Sequence, residues 1–164
     1  MRRLAFALSL ALAFVFAAAS ADAGVLVQID KSRQRMTVSV DGKMRHSWAV
    51  STGRRGFGTP SGTFSPQHLA RRWFSRKYYN SPMPYSIFFT KGYAIHGSYE
   101  IRRLGGPASH GCVRLHPANA ATLFVLVQQR GARIVISGAI RSASDPLRKR
   151  LRQHDARAAA PHAL

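Results

Sequence analysis

Short apolar segments bounded by glycine- and proline-containing turns occupy most of this chain. Residues 35–40 alternate methionine and valine with polar residues, which is the period of a half-buried β-strand. Asp41-Gly42 then provides a strong hairpin turn into a second strand over residues 43–50. Further strands are predicted over residues 25–29, 63–64, 86–90, 93–96 and 132–137. The pattern predicts a domain built mainly from short strands.

Only residues 117–129 show a clear helical period. Pro117 suits the first position of a helix, and Gly131 follows where the helix should stop. The apolar residues that recur at helical spacing between them are Ala120, Leu123, Phe124 and Val127. We therefore predict an α+β domain that is mainly β, with one or two helices.

The first 23 residues have the layout of a secretory signal peptide. Arg2 and Arg3 precede an apolar run over residues 4–19, and small residues suitable for cleavage follow. A retained membrane anchor is the alternative, because the run is near the lower length limit of a spanning helix. We expect a signal peptide over residues 1–23, a single domain over residues 24–140 and a basic, disordered tail over residues 141–164.

Cys112 is the only cysteine of the chain, and it lies beside His110 in sequence. Exported cysteines normally occur in disulfide pairs, so a lone one is either an intermolecular partner or a reactive thiol. A catalytic cysteine needs an imidazole to take its proton and backbone N–H groups to hold an oxyanion. The alternative is that Cys112 is a small buried hydrophobic residue. If it is catalytic, we expect it to react well below the ordinary thiol pKa of ~8.5.

His96-Gly97, followed by Ser109-His110-Gly111-Cys112-Val113-Arg114-Leu115, resembles the signature of the L,D-transpeptidase (YkuD-type) catalytic domain. This family consists of bacterial cell-wall enzymes with a cysteine nucleophile. The resemblance covers about residues 25–138 and implies a β-sandwich-type domain.

The resemblance also implies roles for individual residues. Cys112 matches the nucleophile and His96 the base, with the carbonyl of Gly97 orienting the imidazole. His110 and Gly111 match residues that line the nucleophile, and N–H groups around Gly111 and Cys112 match the oxyanion hole. The substrate-binding residues would be Arg114, through a substrate carboxylate, and Ser109.

The mechanism implied by the family is a two-step acyl transfer without metal or organic cofactor. Cys112 would attack the carbonyl of the third residue of a peptidoglycan stem peptide, release D-alanine and form a thioester. An amine acceptor would then complete a 3→3 cross-link or the attachment of a protein, and water would give carboxypeptidation. A non-catalytic wall-binding module is one alternative, and a zinc site at His96, His110, Cys112 and His116 is another, although its spacing matches no established metal pattern.

The formal net charge is +19, from 25 lysines and arginines against six acidic residues. Such an excess indicates attraction to a polyanion. Because export is predicted, we expect anionic envelope polymers or a membrane surface rather than nucleic acid, with the basic tail as the contact. Residues 71–80 mix aromatics with cations and are expected to form the rim of the active site, or else an ordinary surface loop. We expect a monomer in the periplasm or cell envelope.

Overall fold

The structure is a computed structural model, which describes residues 24–140. It contains eleven strands, one α-helix and a single turn of 3-10 helix at Ile101–Arg103. The strands are β1 (Val25–Asp30), β2 (Arg35–Val40), β3 (Lys43–Ala49), β4 (Gly62–Phe64), β5 (His68–Ala70), β6 (Phe74–Ser75), β7 (Ser81–Pro82), β8 (Ser86–Thr90), β9 (Tyr93–Gly97), β10 (Val113–Leu115) and β11 (Arg133–Ser137), and the helix is α1 (Pro117–Arg130). The mainly β fold class with one helix is confirmed.

The strands form two principal sheets and one small hairpin. The first sheet has the order β3-β2-β1-β11-β4, with β1 and β11 parallel. The second has the order β10-β9-β8-β5, with β9 and β10 parallel, while β6 and β7 pair only with each other. Alternate residues of the sheets point into a shared core because successive strand residues face opposite sides. Val27, Val38, Ile95 and Ile134 are among the residues buried there.

Helix α1 closes this core on one side. The four residues predicted from the helical period to face inward, Ala120, Leu123, Phe124 and Val127, are the buried residues of the helix. His116 caps its N-terminus by accepting a hydrogen bond from the Ala118 N–H at 3.3 Å. The helix ends at Arg130, one residue later than predicted, because Gly131 adopts a positive φ of 67° and donates its N–H to the Val127 carbonyl.

The predicted signal peptide and basic tail lie outside the described residues. Within residues 24–140, no helix is both long and apolar enough to cross a bilayer. The predicted domain boundaries stay predictions.

Truncating the buried face of α1 should destabilise the domain far more than truncating its exposed face. Leu123 is fully buried, whereas Val125 on the same helix is 39% exposed. We expect Leu123→Ala to lower the free energy of unfolding by about 2–5 kcal/mol through lost burial and the cavity left behind. Val125→Ala is the matched control and should cost less than about 1 kcal/mol. Urea denaturation of both variants measures the difference, and equal losses would contradict this packing of the helix.

Candidate active site

The parallel pairing of β9 and β10 brings the motif residues together. Arg114 is paired with His96, and paired residues on parallel strands point to the same face. Cys112 precedes Arg114 by two positions and therefore shares that face, while the intervening Val113 is buried in the core. His96, Cys112 and Arg114 line one open cleft of about 590 Å³.

His96 is held in one orientation by its neighbour. Its side chain is only 5% exposed, and Nδ1 lies 2.7 Å from the Gly97 carbonyl oxygen. A carbonyl oxygen can only accept a hydrogen bond, so Nδ1 must carry the proton and donate it. Nε2 is then left with a lone pair, which is the form of imidazole that can remove a proton. The predicted orienting function of Gly97 is therefore present in the geometry.

The cysteine and the histidine are both neutral in the resting site. Burial, opposed by the hydrogen bond to Gly97, lowers the pKa of His96 to about 4. Burial also raises the pKa of the Cys112 thiol, although a hydrogen bond from the backbone of Ala94 and the charge of Arg114 act in the opposite direction. Burial thus acts against the expected ionisation of this thiol well below the ordinary range, because desolvation disfavours the thiolate.

Ser109 shapes the turn that carries Cys112. Its hydroxyl donates to the Cys112 carbonyl and accepts the Gly111 N–H at 3.0 Å. Ser109 is 1% exposed, although it contributes to the cleft wall. Since its hydroxyl is already used within the turn, the structure gives Ser109 a positioning function, and its predicted contact with substrate stays a prediction.

Two threonines that sequence reasoning missed hold this turn from outside. The Thr59 hydroxyl donates to the Gly111 carbonyl at 2.8 Å, and the Thr52 carbonyl accepts the N–H groups of Ala108 and Ser109. Both threonines are buried. They lie more than fifty positions before the turn, so no local pattern connects them with Cys112.

Gly111 is required for packing beneath the turn. Its φ is +118°, and a Cβ at this position would overlap the Tyr93 ring. The Gly111 N–H donates to the Ser109 hydroxyl and is therefore already occupied. Of the two N–H groups predicted for the oxyanion hole, this leaves the N–H of Cys112. The Tyr93 ring thus occupies the space beside Gly111, where a substrate would otherwise approach the backbone.

His110 joins the Cys112 turn to two other loops. Its Nε2 accepts a hydrogen bond from the Arg54 guanidinium at 2.7 Å, and its ring stacks on Tyr78 with centroids 4.4 Å apart. Phe57 contacts the same ring edge-on at 4.7 Å. Partial burial and the charge of Arg54 lower the pKa of His110, which keeps its Nε2 able to accept. His110 lines the cleft next to Cys112, but its Nε2 already accepts the hydrogen bond from Arg54.

Arg114 forms an ion pair with Glu100. The arginine side chain is 19% exposed and the glutamate is 52% exposed, so the pair lies at the cleft surface. An ion pair within the protein is the alternative to a substrate carboxylate as the partner of Arg114, and the structure contains such an ion pair. Arg114 still lines the cleft, where five donors leave room for a second acceptor.

The β6–β7 hairpin forms one wall of the cleft. Its aromatic and basic residues Trp73, Phe74, Arg76, Lys77 and Tyr78 all line the cavity. The alternative is an ordinary surface loop with its aromatics buried in the core, but Trp73 and Phe74 are 38% and 52% exposed. Across residues 24–140, no group of three or more His, Cys, Asp and Glu side chains is placed to hold a metal ion.

Comparison with known proteins agrees with this geometry. The family model of the L,D-transpeptidase catalytic domain, YkuD, matches residues 24–136. The chain belongs to this family. The resemblance recognised from the motif residues is confirmed.

Two kinds of relative illustrate the similarity. YqjB of Bacillus subtilis (strain 168), provisionally named an L,D-transpeptidase, is 29% identical over 127 residues, which cover 70% of this chain and 72% of YqjB. An L,D-transpeptidase from Mycobacterium smegmatis is 27% identical with a TM-score of 0.64, covering 69% of this chain and 58% of that one. The L,D-transpeptidase LdtMt1 in complex with imipenem has the same fold at 24% identity, with a TM-score of 0.64 and coverage of 70% and 59%. This chain thus spans less than two thirds of those two structures.

The ionisation of Cys112 can be measured directly by alkylation. Because burial raises the thiol pKa, we expect the rate of iodoacetamide reaction to rise with a midpoint above the ordinary value of ~8.5. The same protein unfolded in urea is the control and should titrate near the ordinary value. A folded-state midpoint in the neutral range would instead indicate a preformed thiolate–imidazolium pair.

The buried neutral His96 should also make stability depend on pH. Its pKa is about 4 in the folded protein, against ~6.5 in an unfolded chain. Between these values the unfolded state binds a proton that the folded state does not, so stability falls as the pH is lowered from about 6.5 to about 4. When the pH is lowered from about 7 to about 4.5, the free energy of unfolding of the wild type should fall by roughly 2–3 kcal/mol more than that of His96→Gln.

Urea denaturation at both pH values measures this difference. His68→Gln, at an exposed histidine, is the control and should lose as much as the wild type. If His96→Gln loses as much as the wild type, His96 is not held neutral by the fold.

Proposed function

We propose that this protein is a cysteine L,D-transpeptidase that acts on peptidoglycan stem peptides through a thioester acyl-enzyme. Membership of the L,D-transpeptidase catalytic domain family supports the class of reaction. The proposal for this particular chain depends on one observation. His96, whose Nδ1 is fixed by the Gly97 carbonyl, and Cys112, which directly precedes β10, line the same cleft where β9 and β10 pair.

The neutral state of both groups determines how the nucleophile is activated. The thiol proton passes to His96 Nε2 as sulfur attacks the carbonyl carbon of the third stem residue, so thiolate develops only during bond formation. The N–H of Cys112 stabilises the oxyanion that forms in this step of the proposed reaction. As the intermediate collapses, the carbon–nitrogen bond breaks and the imidazolium returns the proton to the amine of the departing D-alanine. A thioester on Cys112 and a neutral imidazole remain.

The second half-reaction uses the same two residues in reverse order. An acceptor amine attacks the thioester carbon and gives its proton to His96 Nε2, and the sulfur leaves and regains that proton. A diamino-acid side chain as acceptor would give a 3→3 cross-link, a protein amine would give an anchored protein, and water would give a shortened stem peptide. The acceptor that reaches the thioester therefore determines which of these products forms.

A non-catalytic wall-binding module is the second candidate. It would need the same cleft but not a buried histidine, fixed through Nδ1 by Gly97, in the same cleft as a single cysteine. Burying an imidazole that loses its proton costs stability at acidic pH, and a pure binding module gains nothing from it. The catalytic interpretation accounts for this arrangement and is therefore preferred.

The predicted signal peptide places this reaction in the cell envelope. The cell wall polymer is found there, which agrees with the proposed substrate. The basic tail would then contact anionic polymers or membrane surface near that substrate.

Replacing the nucleophile tests the proposal. Cys112→Ala and Cys112→Ser should both abolish D-alanine release from a stem tetrapeptide. Alanine has no nucleophile, and a serine hydroxyl is far harder to deprotonate than a thiol for a neutral imidazole acting as the single general base. Release is measured by mass spectrometry of the product with protein comprising residues 24–164. Thermal denaturation should be close to wild type in both variants, since little core volume changes.

Imipenem offers an independent acyl donor for the same sulfur. We expect one drug mass to be added to the wild type and none to Cys112→Ala. D-Alanine release by Cys112→Ser at the wild-type rate, or an imipenem adduct on the alanine variant, would contradict a cysteine mechanism.

A further inference from the structure

The cleft contains more positive charge than its own acidic residues neutralise. Four cationic side chains line it, Arg76, Lys77, Lys91 and Arg114, together with one carboxylate, that of Glu100. Glu100 is paired with Arg114. The cleft wall therefore carries three further positive charges without a carboxylate partner in the described part of the chain.

Arg76 and Lys91 approach the cleft from two different elements. Arg76 lies in the loop of the β6–β7 hairpin, and Lys91 lies with Gly92 in the tight turn between β8 and β9. Neither forms an ion pair within residues 24–140. Lys77 differs because its ammonium lies 5.6 Å from the centre of the Tyr78 ring, which partly compensates its charge.

Cations gathered in a concave site behave differently from cations on a convex surface. Low-dielectric walls focus their field into the cleft, and the cations repel one another when nothing neutralises them. The aromatic side chains of Trp73, Tyr93 and Tyr99 provide such walls here. A ligand with carboxylates relieves this repulsion, whereas a neutral ligand does not.

The position of the reacting carbonyl indicates which carboxylate is involved. This step depends on the proposed function, in which the third stem residue bonds to Cys112. The side chain of that residue then lies close to Cys112, in the cleft that Arg76 and Lys91 also line. In a stem peptide with a diamino-dicarboxylic acid at this position, that side chain ends in an amine and a carboxyl group, which is either free or amidated.

We propose that the cleft selects stem peptides whose third residue carries a free side-chain carboxylate over those carrying a carboxamide, and that Arg76 and Lys91 are the residues that recognise it. A free carboxylate accepts charge-assisted hydrogen bonds from both cations, while a carboxamide cannot neutralise either. The selection acts on binding and not on the thiol–imidazole pair.

Two synthetic tetrapeptides that differ only in this group test the proposal. Their binding to Cys112→Ala protein is measured by calorimetry, so that no turnover is needed. We expect the carboxylate peptide to bind roughly three- to tenfold more tightly at low salt, and the advantage to shrink as added salt screens the charges. Equal affinities at low salt, or a preference for the carboxamide, would overturn the proposal.

Variants then locate the recognition. Lys91→Met and Arg76→Met keep a long apolar stem but remove the charge, and each should reduce the preference for carboxylate. Lys91→Arg restores the charge and should restore the preference. Arg102→Met is the control, because Arg102 is exposed on the 3-10 helix and does not line the cleft. A preference that survives loss of both cleft cations would overturn the assignment of these residues.

Turnover by the wild type separates this proposal from the proposed function. If neither peptide forms a thioester but the carboxylate peptide still binds more tightly, the reaction assignment fails and the cleft selectivity stands. If both peptides are converted with equal KM, the reaction stands and the selectivity fails. A higher KM for the carboxamide peptide with similar kcat supports both.

Discussion

The parallel pairing of β9 and β10 is the interaction on which the rest of the site depends. It places His96 opposite Arg114 and puts Cys112 on the same face. Parallel neighbours cannot be joined by a tight turn, so the chain must cross over between them through residues 98–112. This crossover is tied down at both ends, because Ser98 donates to the Leu115 carbonyl at 2.8 Å and Ser51 exchanges backbone hydrogen bonds with Arg114. His96 and Arg114 are therefore fixed by sheet hydrogen bonds, whereas Cys112 is held by the hydrogen bonds of its turn.

The parts of this arrangement that could be predicted from sequence are those with a local pattern. The strand period of residues 35–40 and the helical period of residues 117–129 were recognised because each involves neighbours along the chain. The β6–β7 hairpin was not, since strands of two residues show no period. Thr52 and Thr59 were missed for a different reason. They support the Cys112 turn through contacts between distant segments, and an isolated threonine looks the same whether or not it makes such a contact.

The same limit applies to electrostatics. The sequence shows that Cys112 and His96 belong to one motif, but it does not show how deeply each is buried. Burial of both groups disfavours their charged forms and leaves a neutral pair. Ser109 and Arg114 show a related effect. Each is a plausible ligand-binding residue by type, yet their groups have partners within the protein at Cys112 and Glu100.

The neutral pair and the positive charge of the cleft wall affect each other. A nearby cation stabilises a thiolate but destabilises an imidazolium, and Arg114 accordingly lowers the pKa of both Cys112 and His96. In the empty cleft the two effects oppose each other for proton transfer from sulfur to nitrogen. A bound substrate with carboxylates weakens the field of Arg114 and so weakens both effects together, which leaves the balance of this proton transfer little changed. The positive charges of the cleft wall therefore act on substrate binding, while proton transfer from Cys112 depends on the position and burial of His96.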